Sequence, residues 1–239
     1  AEALRERKEQ PTPNRNNCSG KHSGMLAFTH LLANEVDERG LAYIDPQHPI
    51  QQEILHTFAE MCRLTVDQVA VGIDGCSAPN FAVPLFNAAL AYARLSDPQA
   101  GEVQPEERAA ACRKITGAMA FTPDMVAGPG RFDTALMEVG RGRIVAKGGA
   151  EGYQAIGLLP GAIEPGSPAL GIAVKISDGD HAHRAVPAVT LELLRQLGAL
   201  STEDVAMLSD FGPSFSLYNL RKLVVGMGRP TFRLERDGS

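Results

Sequence analysis

Within five positions, Cys18-Ser19-Gly20-Lys21-His22 places a thiol, an amine and an imidazole in a polar turn that leads into a helix. Backbone N–H groups and the positive end of a helix dipole would lower a thiol's pKa there. A second thiol stands in Asp74-Gly75-Cys76, where a β-branched run over residues 69–73 hands the chain into a turn. No CxxC pair is present, so spacing alone makes the two thiols a poor metal signature. A cysteine buried in a turn accounts for Cys76 more simply on spacing, and a polar helix-start residue accounts for His22. The remaining two of the four cysteines, Cys62 and Cys112, sit in apolar helical stretches and read as small buried hydrophobes. His30, His48, His56, His181 and His183 share no ligand-like spacing with a cysteine and read as solvated or locally bonded.

Lys147-Gly148-Gly149-Ala150-Glu151-Gly152 is a second constellation. A lysine on a strand before two glycines lets a substrate come close to the backbone, and its ammonium can meet a carboxylate or hold a nucleophile's proton. A surface lysine beside a tight bend fits the same residues. Lys175 has that plainer reading more strongly, and Asp178 and Asp180 around Gly179 read as turn residues.

The elements that must carry these groups follow from periodicity. Met25, Leu26, Phe28, Leu31 and Leu32 predict a helix over residues 22–36, and Pro49 opens a second one bearing Ile50, Ile54, Leu55, Phe58 and Met61. Pro79 and Pro84 flank a third helical stretch ending near Leu95, and a fourth runs from Pro105 to Ala120. A short helix follows Gly128-Pro129-Gly130. From residue 144 the period becomes that of strands: a Gly-rich strand continuing through Tyr153, Ala155 and Gly157, another over 170–176, and a last one over 223–228, with a helix over 184–197 closed by Gly198. Strands in succession, then a helix, then a strand predict an α/β chain of the α+β kind, an antiparallel sheet flanked by helices.

Composition excludes several classes. The 239 residues carry 23 Lys+Arg against 28 Asp+Glu, a formal charge of −5, which removes the electrostatic case for nucleic acid. No apolar run approaches the ~20 residues of a membrane-spanning helix, and no secretory signal opens the chain, so no membrane association is expected and the cytoplasm is the expected location. Trp is absent and aromatics make up 5% of the chain, too few for aromatic stacking on sugars or bases.

Taken together, Asn17-Cys18-Ser19-Gly20-Lys21-His22, Gly72-Ile73-Asp74-Gly75-Cys76-Ser77-Ala78-Pro79, Ala146 through Gly152, and Val174-Lys175-Ile176-Ser177-Asp178-Gly179 with Arg184-Ala185 resemble the bacterial L-asparaginase II-like family of the Rhizobium type. The resemblance runs over essentially the whole chain. It implies a serine β-lactamase/glutaminase-like fold and hydrolysis of L-asparagine to L-aspartate and ammonia, by a homodimer. It also implies a zinc ion held by Cys18, Lys21 and Cys76, structural or substrate-orienting, with Asp74 a neighbouring acceptor and His22 beside the substrate pocket. A lysine ligand must be neutral, so its pKa has to fall well below ~10.4, which metal binding can supply. Lys147 corresponds to the family's catalytic strand lysine, and the resemblance implies an oxyanion site in the N–H groups along the strand after it, provided they point at it. The family's nucleophilic serine lies in a Ser-x-x-Lys motif upstream of the first cysteine segment, and no Ser-x-x-Lys occurs here. The expectation is therefore a single asparaginase-like domain over 1–239, N-terminally incomplete, with 1–15 an exposed leader segment. The alternative is a catalytically inactive, zinc-holding, ligand-binding remnant of the same fold.

Overall fold

The structure, a computed structural model, describes residues 5–10, 12–32, 42–180 and 184–235. The chain divides into two compact units, one formed by Ala1–Glu60 with Leu64–Val83, the other by Met61–Arg63 with Pro84–Ser239.

The first unit holds helices α1 (Ser19–Leu31) and α2 (Pro49–Met61, its last residue belonging to the other unit) and a hairpin of strands β1 (Ala70–Ile73) and β2 (Pro79–Ala82). Proline at the first position suits α2, because its missing N–H would lack a helical partner anyway. The inner face of α2 buries Ile50, Gln51, Leu55 and Ala59, residues that fall on one side of a 3.6-residue period. Ile50 packs with Met25, Tyr43 and Ala78; Leu55 and Ala59 pack with Val69. Buried Gln51 is anchored by giving its amide N–H to the Tyr43 carbonyl at 2.7 Å. Strands β1 and β2 pair antiparallel, Ala70 opposite Ala82 and Ile73 opposite Pro79, and every residue of β1 is exposed. Residues 79–82, expected at the start of a helix, are thus a strand. The helix α3 begins only at Leu85, after Pro84, and runs to Ser96.

The second unit is built on a three-stranded antiparallel sheet in the order β3 (Ile144–Gly148), β4 (Tyr153–Leu158), β5 (Leu170–Lys175). Residues 144–157, expected as one strand, are two. Glu151 and Gly152 both take left-handed φ, 55° and 74°, and reverse the chain between them. One face of the sheet receives α3. A Cβ at Gly171 would lie 1.7 Å from the Ala89 carbonyl oxygen, so only a bare backbone allows that approach. The other face carries the main core: Ile144, Ala146, Ile156 and Leu158 pack with Leu136, Met137, Leu191 and Leu194. Each of the fully buried Ile, Leu and Met side chains among these contributes roughly 1.5–3 kcal/mol.

Helices α4 (Glu106–Phe121), α5 (Pro123–Ala127), α6 (Phe132–Gly140), α7 (Ala185–Leu197) and α8 (Thr202–Met207) complete the unit, with a ribbon of β6 (Phe215–Tyr218) and β7 (Val224–Gly228). The last strand pairs with β6 rather than with the central sheet. Ser201 and Asp204 cap α8 reciprocally. Eight helices and three small antiparallel sheets among the described residues make an α+β protein, as the sequence predicts.

Candidate functional site

Cys18 is the N-cap of α1, its own N–H given to the Asn16 side-chain oxygen at 2.8 Å. That local bond sets the turn ahead of the helix. Lys21 and His22 follow one turn on, three and four residues away, so the helix places both beside Cys18. Opposite stands the β1–β2 loop. Asp74 and Ala78 close it through the Asp74 N–H to the Ala78 carbonyl at 2.9 Å, and Ser77 gives its N–H to the Asp74 carbonyl at 2.8 Å with a left-handed φ of 72°. The loop turns Asp74 and Cys76 toward α1.

Two sequence segments meet there. The Cys18 and Cys76 sulfurs and an Asp74 carboxylate oxygen all lie within 4.8 Å of one another. Lys21 Nζ donates to Asp74 Oδ2 at 3.0 Å, and the Cys76 thiol sits 3.5 Å from the same oxygen. The Lys21 hydrogen bond, and then the Gly75 N–H on the other oxygen at 2.7 Å, hold the Asp74 carboxyl below the usual carboxylate range. Burial opposes the Lys21 ammonium, but its bonds to Asp74 and Cys76 outweigh that and raise its pKa. Without metal, then, Lys21 is the cationic half of an ion pair.

For Cys18 the expected effect of the helix start is overturned. Burial, then the neighbouring Cys76, and further down Asp74, push the thiol up, against a weaker pull from Lys21. Its side chain makes no capping bond to the helix N–H groups.

His22 turns its Nδ1 to the buried Tyr43 hydroxyl at 2.8 Å, with the two rings edge to face. Tyr43 has no motif around it, and nothing in the sequence singles it out. His48 and His56 are locally bonded, to the Ile50 N–H and the Gln52 carbonyl, as expected; His181 and His183 lie outside the described residues. Cys62 and Cys112 are buried free thiols, and burial pushes Cys62 up to about 11.

Lys147 belongs to the second unit. It is exposed on β3, its ammonium resting on the Gly148 carbonyl at 2.5 Å. The expected oxyanion donors beside it are already engaged: Gly148 N–H goes to Asp133 Oδ2 at 2.6 Å and Gly149 N–H to the Tyr153 carbonyl at 2.9 Å. Antiparallel pairing and a buried carboxylate take both, and sequence alone shows neither partner. Lys175 ties down the same turn through the Glu151 carbonyl at 2.7 Å. Asp180 caps α7 by accepting the Arg184 and Val186 N–H groups, the turn chemistry expected of it.

By fold and site this is an α+β protein in which two thiols and a carboxylate lie close enough to share a cation, with the Lys21 ammonium beside them. A family model described as L-asparaginase II matches residues 1–230, and the chain belongs to that family. No curated protein matches the chain. Among the described residues, no helix is long and apolar enough to cross a membrane.

Proposed function

We propose that this chain is the zinc-holding, lysine-bearing part of an L-asparagine amidohydrolase that yields L-aspartate and ammonia. The observation that carries the reading is the convergence of Cys18, Lys21, Asp74 and Cys76 from two distant segments in a chain of the L-asparaginase II family.

Two sulfurs, a nitrogen and a carboxylate oxygen form a donor set of the kind zinc accepts. Cys18, Lys21 and Cys76 would hold the ion, with Asp74 beside it. Bound there, zinc would polarise or orient a substrate group. Loading would require Lys21 and the thiols to give up protons, so affinity should rise with pH.

The chemistry we assign is acyl transfer. A serine Oγ adds to the side-chain amide carbon, and Lys147 takes the serine proton. The C–N bond breaks, ammonia leaves carrying that proton, and water then cleaves the acyl-enzyme to L-aspartate and free serine. The 239 residues contain no Ser-x-x-Lys, and we assign this serine to sequence outside them.

Ammonia release from L-asparagine, measured on the 239-residue chain and on the full-length protein, tests the reading. Both are purified without chelator and their zinc is counted. Release by the full-length protein alone, with about one zinc per chain, is the expected result. Release by the 239 residues alone would remove the outside serine from the mechanism. Silence from both, with zinc retained, would favour a non-enzymatic ligand-binding protein.

A further inference from the structure

Asp133 is a buried carboxylate, 7% exposed, in the first turn of α6, where the helix dipole favours its charge. Its Oδ2 accepts the Gly148 N–H at 2.6 Å, and its Oδ1 accepts the Gln154 amide at 2.9 Å. Gln154 is itself 2% exposed and stands opposite Gly148 in the β3–β4 register. Strand β3 lies at the edge of its sheet. Successive N–H groups of an antiparallel strand point to opposite sides. Gly149 gives its own inward to Tyr153, and Gly148 gives its own outward to Asp133.

That outward N–H belongs to the same planar peptide as the Lys147 carbonyl. Holding it fixes the plane, and with it the ψ angle of Lys147 and the direction from which the lysine side chain starts. The far side of the turn is held as well, by Lys175 on the Glu151 carbonyl and by the Ile176 N–H on the Gly152 carbonyl at 2.9 Å.

We propose that Asp133, braced by Gln154, is a positioning residue that aims Lys147 by clamping the Lys147–Gly148 peptide. The inference rests on the catalytic reading of Lys147 given above. Asp133 touches no reacting atom; it acts through the backbone.

The test uses the full-length protein with Asp133→Asn, Lys147→Ala and the double variant, reading kcat, KM and melting temperature with L-asparagine. Lys147→Ala should lower kcat by about 100-fold or more, the scale of a lost proton-transfer group. Asp133→Asn keeps the side chain's size, so the protein should stay folded, but it turns one of the two acceptor oxygens into a donor facing the Gly148 N–H or the Gln154 N–H, and so loosens the clamp. Its kcat should fall about 10-fold, the cost of a small misplacement, with KM changed less than about twofold. Added to Lys147→Ala, it should cost nothing further.

A folded Asp133→Asn protein with full kcat, beside a crippled Lys147→Ala, overturns this inference alone. An undiminished Asp133→Asn loss in the Lys147→Ala background does so too, because Asp133 would then act through packing. Full kcat in Lys147→Ala overturns the reading of Lys147 and this inference with it. Should Asp133→Asn fail to fold, Gly148→Ala replaces it. The new Cβ would lie 3.3 Å from both Asp133 Oδ2 and Gln154 Oε1, pressing on the clamp without deleting either group. The same pattern of kcat losses is expected, and the same outcomes overturn it.

Discussion

Both candidate centres sit at β-hairpins, and the two hairpins are held by different forces. The β1–β2 hairpin exposes every residue of β1, Ile73 to 61%, and its loop is organised by polar contacts among Asp74, Gly75, Cys76 and Lys21. The β3–β4 hairpin is buried along Ile144, Val145 and Ala146 and along nearly all of β4, and Lys147 is the one fully exposed residue of its two strands. One hairpin spends its residues on donor atoms and leaves little to packing. The other fixes a backbone by packing and offers a single amine. The proposed ligand set would tolerate the first design, because a bound ion would supply the missing cross-link. The proposed proton-transfer role of Lys147 would need the second, because only the scaffold could direct an isolated lysine.

The largest effect should come from the packing on the two faces of the sheet that holds the second hairpin. Gly171→Ala drives a methyl into the Ala89 carbonyl and should cost about 3 kcal/mol or more, and Leu136→Ala in the main core about 2–5 kcal/mol. Ile73→Ala on the exposed strand should stay within about 0.5 kcal/mol. Denaturant titration of the three variants decides this, and equal losses would erase the contrast.

The polar hairpin should break chemically instead. Cys76→Ala should weaken zinc binding by more than about 100-fold while leaving the far-UV circular dichroism unchanged. Zinc counted after dialysis gives the answer; retained metal would remove Cys76 from the ligand set.

A pH effect sharpens the same contrast from the buried side. Cys62 stays a neutral thiol in the folded protein up to about 11, whereas an unfolded cysteine ionises near 8.5. Between those values the unfolded state has lost a proton that the folded state keeps, so stability should fall as pH rises through that window and be unaffected by Cys62 below it. Cys62→Ala should flatten the slope in melting temperature over that range.

The smallest effect belongs to the Lys21–Asp74 pair in metal-free protein. Both side chains are more than a third exposed, so screening leaves the pair worth under about 1 kcal/mol. Asp74→Asn should remove that little. In the unchanged protein the contribution should be full above about pH 4 and fade as the pH falls through the depressed Asp74 value.

Much of this organisation was legible from local patterns. Pro49 opening a helix, the helix of residues 184–197 closed by Gly198, and the strand of residues 170–176 are properties of short stretches, where backbone sterics and periodicity act within one or two turns. Cys62 and Cys112 read as buried for the same reason, from the apolar face each sits on.

The misread stretches depended on partners elsewhere. Pro79 marks a strand only because β1 pairs with it, and residues 144–157 fold back only because Glu151 and Gly152 accept left-handed angles together. The chemical residues divide in the same way. Amino-acid type and short spacing singled out the segments around Cys18, Lys21, His22, Asp74, Cys76 and Lys147, and the family resemblance made these residues candidates. That Asp74 sits among two thiols and an ammonium was decided by tertiary structure, as was the pairing of Tyr43 with His22 and of Asp133 with the Gly148 N–H. Those contacts join residues far apart along the chain, and a hydrogen bond or an ion pair depends on distance in space, which no local pattern records.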